Sequence, residues 1–117
     1  MTETQKSLLE LKSTAYVAGG YPQTMRLAKP ICDDMIGELI PVADTANFEQ
    51  KLDIFMKCQR RLNSLMISDG VDADTVERDI FYQVLEKIGA IVRMNATNEQ
   101  ETRFIVDVLD SEELVGE

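Results

Sequence analysis

No histidine occurs among the 117 residues. Imidazole acid–base catalysis, phosphotransfer through histidine and imidazole metal ligands are therefore excluded, and so is every Ser–His or Cys–His nucleophile pair. Cysteine is scarce. Cys32 and Cys58 lie far apart with no C-x-x-C spacing, so no structural zinc site is expected, and a pair is too small for a disulfide framework. Both fall among apolar residues on predicted helices, which is the setting of buried free thiols in a reducing compartment. No phosphate-cradling loop is present, because Gly19-Gly20 has neither the spacing nor the following lysine. The acid-rich run DGVDADTVERD at 69–79 does not place its acids at alternating positions ahead of a glycine and a twelfth-place glutamate. Turn formation and helix capping account for those acids better than calcium does.

Long hydrophobic runs are also missing. Nothing approaches the ~20 apolar residues of a membrane span, and the start, MTETQKSLLELK, lacks the basic and apolar regions of a secretion signal. The expected location is the cytoplasm. Positive charge is in short supply as well: 12 Lys and Arg stand against 21 Asp and Glu, for a net charge of −9 and a pI near 4.5. Such a chain repels nucleic acid and anionic lipid, so direct binding to either is not expected, whereas a basic protein partner is permitted. The imbalance is local. Residues 98–117 hold seven acids and one base, while 48–70 are close to neutral.

What the sequence does contain is apolar residues at helical spacing, 44% of the chain, enough for one domain with a single core. The periodicity predicts five helices and an all-α, up-and-down bundle. The first, about 3–18, carries Leu8, Leu11, Ala15 and Ala18 and is stopped by Gly19-Gly20. It packs as a fifth helix or stands off as an arm that pairs with a second copy. The second, about 22–40, starts with Pro22 at its first position and carries Ala28, Ile31, Cys32, Met35, Ile36 and Leu39. Pro30 either kinks it or begins a new helix. The third, about 47–67, is capped by Thr45 or Asn47 and aligns Phe48, Leu52, Phe55, Gln59, Leu62 and Met66.

The fourth helix, about 74–94, opens on an Asp74–Glu77 capping box, lines up Val76, Ile80, Val84, Ile88 and Ile91, and closes near Asn95. The fifth, about 98–110, is capped by Thr97 with Gln100 or Asn98 with Glu101, and buries Phe104, Ile105, Val108 and Leu109. A rival reading pairs 90–94 with 104–109 as a β-hairpin; the capping pattern opposes it. MIGELI at 35–40 and KIGAIV at 87–92 hint at a repeated hairpin, and each places a glycine inside a helix, where another backbone is expected to pass close.

Four carboxylates form two i, i+4 pairs, Asp34 with Glu38 and Glu49 with Asp53. Paired acids on adjacent helices could hold Mg²⁺, as in all-α nucleotide pyrophosphohydrolases, but those enzymes need a denser glutamate cluster, and an ordinary solvated face explains the pairs. With no catalytic, metal or cofactor signature, the expected function is non-enzymatic: a small acidic inhibitor, regulator or chaperone-like protein, of the kind phages and mobile elements carry, that binds a basic protein partner. The expected contact residues are the acids Glu99, Glu101, Asp107, Asp110, Glu112 and Glu113, with Met25 and Met94 as adaptable apolar anchors at element edges. Other readings are a nucleic-acid-mimicking inhibitor, the Mg²⁺-dependent enzyme, and a self-assembling structural protein or homodimer built on the first helix and Tyr21.

Overall fold

The computed structural model describes residues 1–68 and 75–109, the side chains of 66–68 and 75–77 excepted, and among these residues it is an all-α bundle with no strand. The helices are α1 (Glu3–Lys12), α2 (Pro22–Leu39), α3 (Phe48–Ser68), α4 (Thr75–Ile91) and α5 (Asn98–Phe104). A 3₁₀ turn, Ile40–Val42, extends α2, and a π turn, Ile105–Leu109, extends α5.

Ion pairs and hydrogen bonds give the helix directions. Glu38 pairs with Lys57 and Asp34 with Arg61, so α2 and α3 run antiparallel. Gln5 Nε2 donates to the Ile40 carbonyl and Lys29 Nζ to the Lys12 carbonyl, so α1 is antiparallel to α2. Lys51 Nζ reaches the Val92 carbonyl, which sets the end of α4 beside the start of α3. Arg103 pairs with Glu49, and Gln59 with the Val108 carbonyl, so α5 and its π turn run alongside α3. The chain therefore alternates direction through all five helices, as short connections require. The core runs from Leu8 on α1 through Cys32, Met35, Ile36 and Leu39 on α2 and Leu52, Phe55 and Leu62 on α3 to Phe81, Leu85 and Ile88 on α4 and Phe104 and Val108 beyond.

Three expectations about α1 and α2 need correction. Helix α1 stops at Lys12, well before Gly19-Gly20. Ser13 and Thr14 turn their hydroxyls onto the Glu10 and Leu11 carbonyls, and such hydroxyls compete with helix continuation. Ala15 and Ala18 are consequently exposed, while Val17 is buried. Gly19 has φ +107°, a backbone only glycine adopts freely, and belongs to the turn into α2. Nor does α1 stand off as an arm: Leu8 and Leu11 are buried in its own bundle. Its start is held by Thr2 and Gln5 in a reciprocal capping box, with the Thr2 hydroxyl also bonded to Asp44. Third, Pro30 does not begin a new helix; Pro22–Leu39 is one helix with Pro30 inside it. Pro30 is exposed, and Met25, Ala28, Cys32 and Met35 bury one face on both sides of it, which offsets the hydrogen bond proline cannot donate.

The caps largely follow the expected chemistry. Asn47, not Thr45, caps α3, exchanging hydrogen bonds with Gln50 at 2.8 and 2.9 Å. Thr97 caps α5 through the Gln100 amide. The end of α4 differs from expectation. Arg93, with φ 64°, takes the left-handed position assigned above to Asn95, while the Met94 amide closes onto the Gly89 carbonyl at 2.8 Å. These bonds form a Schellman cap. The Asp74–Glu77 box and the Asp69-Gly70 turn lie outside the described residues. On α4 the buried stripe is Phe81, Val84, Leu85, Ile88 and Val92, with Ile80 and Ile91 only half-buried at its edges.

The two helical glycines have unlike surroundings. Gly37 is exposed, and a Cβ placed there would meet only the Lys12 ammonium at 3.9 Å. Gly89 is buried, and a Cβ there would lie 2.7 Å from the Phe104 ring. A side chain, not a passing backbone, demands glycine at 89, and nothing similar holds at 37.

Candidate interaction face

Helix α5 and the π turn carry the residues to which the charge pattern points. Glu99 and Glu101 are exposed, and Asp107 is half-buried. Asp110, Glu112 and Glu113 lie outside the described residues. Met25 (7% exposed) and Met94 (0%) are core residues, so neither offers a surface anchor. Met94 is fixed there as the residue after the left-handed cap, tucked against Gly89 and the Phe104 side.

The apolar surface beside the acids comes instead from Ile105 (37% exposed) and Val106 (57%). A regular helix would place Ile105 with Phe104 and Val108 on the core side. The wider π winding over Ile105–Leu109 keeps Phe104, Val108 and Leu109 inside and turns Ile105 and Val106 outward. Gln59 holds this turn. It is fully buried on the apolar stripe of α3, and its Nε2 donates to the Val108 carbonyl at 2.9 Å. The Phe55 and Phe104 rings, edge to face with centroids 5.1 Å apart, anchor α5 from beneath.

Two concavities flank α5. On one side, a shallow depression is bounded by Asn98, Glu99, Thr102, Arg103, Val106 and Asp107. On the other, a cleft against α4 has Gly89, Ala90, Phe104 and Ile105 for its floor and walls and Glu86 and Glu101 at its rim. Among the described residues no ion pair involves Glu86, Glu99 or Glu101. The neighbouring acids differ: Arg103 spans Glu49 on α3 and Asp107, bonding Glu49 at 3.0 Å through Nη2 and Asp107 at 3.3 Å through Nε, and also lies over the Phe48 ring. Those carboxylates, first the hydrogen-bonded Glu49, raise the Arg103 pKa.

Compared with known protein families, characterised proteins and solved structures, the chain matches none.

The remaining charged and nucleophilic clusters serve the fold. Of the four carboxylates that could have framed a Mg²⁺ site, Asp34, Glu38 and Glu49 hold Arg61, Lys57 and Arg103, and no group of three or more metal-binding side chains occurs among the described residues. Cys32 on α2 and Cys58 on α3 are free and buried. The neighbouring Cys58 thiol, together with burial, raises the Cys32 pKa and makes it a poor nucleophile. Tyr16 donates to Asp33 at 2.6 Å, and Lys29 bonds the other Asp33 oxygen at 2.9 Å beneath the Tyr16 ring, which ties the loop after α1 onto α2. Burial first, then the Asp33 bond, raises the Tyr16 pKa. No helix among the described residues is long and apolar enough to cross a membrane.

Proposed function

We propose that the protein is a non-enzymatic binding module that docks a basic surface of another protein onto α5 and its π turn. One observation carries this reading: exposed Glu86, Glu99 and Glu101, which form no ion pair among the described residues, lie beside exposed Ile105 and Val106 in the two concavities that flank α5. Unpaired acids favour a cationic partner and speed its approach, while adjacent apolar side chains slow its departure. Elsewhere on the described surface, Asp33, Asp34, Glu38 and Glu49 are already paired within the fold. The same pairing weakens the nucleic-acid-mimic and Mg²⁺-enzyme readings, since both need open carboxylates. Self-assembly through α1 is weakened by the burial of Leu8 and Leu11.

The test compares the wild-type chain with the Glu99→Lys/Glu101→Lys variant as bait in lysate of the native host. The expected result is a basic protein retained by the wild type and lost by the variant, with an association rate that falls steeply from low to physiological ionic strength. Capture of a neutral or acidic partner, equal capture by both baits, or a salt-indifferent association rate refutes the proposal.

A further inference from the structure

We infer that the cleft between α4 and α5 is a socket for one aliphatic side chain of the basic partner, set beside lysine or arginine. The inference rests on the proposed binding role of the acidic face and adds what that face selects. The floor is apolar and held: the Phe104 ring lies on Gly89 and packs edge to face with Phe55, 5.1 Å between centroids. Ala90 and Ile105 form the open walls, both exposed on their helices. Glu86 and Glu101 stand at the rim, both exposed, with no ion pair among the described residues. An apolar floor below two carboxylates complements an aliphatic residue flanked by cations, and repels the same residue flanked by acids.

Size narrows the occupant. The cleft offers about 70 Å³, roughly half the ~150 Å³ of a cavity that admits benzene. The branched tip of leucine, isoleucine or valine fits; an aromatic ring does not. Its floor and one wall come from regular helix, Gly89 and Ala90 of α4 and Phe104 of α5, and Ile105 opens the π turn that follows, so the socket is largely preformed and its occupant loses little to rearrangement of the site.

Two synthetic helical peptides test this. Both are lysine–alanine 14-mers of equal charge, one with leucine and one with serine at the central position. Binding to the full chain is followed by amide chemical shifts. The leucine peptide is expected to bind about tenfold tighter, the effect of covering one such side chain, and to move the Gly89, Ala90 and Ile105 signals. The serine peptide is expected to move only signals of the acidic residues. Ala90→Leu, an exposed helical position that tolerates leucine, fills the mouth of the cleft and is expected to erase the leucine advantage while leaving serine-peptide binding unchanged.

Equal affinity of the two peptides for the wild type, or a leucine advantage that survives Ala90→Leu, overturns the socket and leaves the acidic docking face standing. No binding of either peptide at low salt overturns both. Movement of the Gly89 and Ala90 signals on Leu114→Ser/Val115→Ser substitution without peptide would assign the cleft to the chain's own C-terminal residues, and that also overturns the inference.

Discussion

Gly37 and Gly89 both sit inside helices, yet replacing each with alanine is expected to change stability in opposite directions. Alanine lowers the backbone entropy cost of a helical position by about 0.8–1 kcal/mol relative to glycine. At Gly37 nothing opposes that gain, because the nearest atom to a new Cβ is the flexible Lys12 ammonium at 3.9 Å. Gly37→Ala should therefore stabilise the fold by about 0.5–1 kcal/mol. At Gly89 the new methyl would lie 2.7 and 2.8 Å from two ring carbons of Phe104. The ring does not yield freely, since it is buried and packs edge to face with Phe55. Overpacking of this kind costs about 1–3 kcal/mol, which exceeds the propensity gain, so Gly89→Ala should destabilise by about 1 kcal/mol.

Urea unfolding followed by helical circular dichroism measures both variants. A double-mutant cycle isolates the cause. In a Phe104→Leu background the offending ring atoms are gone, and Gly89→Ala should become neutral or stabilising, a coupling of about 1 kcal/mol or more. If Gly89→Ala stabilises as much as Gly37→Ala with Phe104 intact, the ring does not lie on Gly89, and the floor of the α4–α5 cleft is wrong.

The cap and the buried thiol give further expectations. Asn47→Ala removes the bond that Asn47 Oδ1 accepts from the Gln50 amide at the head of α3 and should lower stability by about 1 kcal/mol in urea titration, with Asn47→Asp nearly neutral. Stability should also fall in alkali. An unfolded cysteine ionises near pH 8.5, whereas the Cys32 thiol, beside Cys58 and buried, keeps its proton well above that. Its contribution is thus complete below about pH 8.5 and declines as pH rises, because the unfolded chain sheds a proton that the native one retains, with a limiting slope of about 1.4 kcal/mol per pH unit. Tyr16, whose pKa is raised by burial and by its bond to Asp33, adds to the decline above about pH 10. Denaturant midpoints from pH 7 to 11 check this, and Cys32→Ala should flatten the curve between about pH 8.5 and 10; an unchanged slope would mean the thiol is not shielded.

Much of the bundle could be read from spacing alone, because an amphipathic helix writes its buried face into its own sequence. Leu52, Phe55, Gln59 and Leu62 on α3 and Met35, Ile36 and Leu39 on α2 are buried as their periodicity requires. Local chemistry was legible where it was strictly local, as with Pro22 opening α2 and Thr97 capping α5. Reading failed where a competing bond or a distant partner decided the outcome. Ser13 and Thr14 end α1 through hydroxyls that a hydrophobic stripe does not register. Spacing placed Gln59 on the buried stripe of α3 but could not give its partner, the Val108 carbonyl 49 residues away. Met25 and Met94 stood at the ends of predicted elements and so suggested surface anchors. One lies a turn inside α2 and the other beneath a left-handed cap, and both are buried.

The acids of the interaction face were visible in the charge distribution, but their apolar companions were not, and the cause is one local change of winding. With regular i to i+4 winding through 109, Ile105 would join Phe104 and Val108 on the core side and leave only Val106 as apolar surface beside the acids. The π turn, held by Gln59 from α3, delivers Phe104, Val108 and Leu109 to the core and leaves Ile105 and Val106 among Glu99, Glu101 and Asp107. A π turn sacrifices regular hydrogen-bond geometry and is uncommon in soluble proteins. Here the same turn that closes the bundle also places apolar surface inside an anionic patch. That placement offers α5 the two properties the proposed docking needs, attraction at long range and adhesion at contact, in an apolar cleft beside acids that form no ion pair among the described residues.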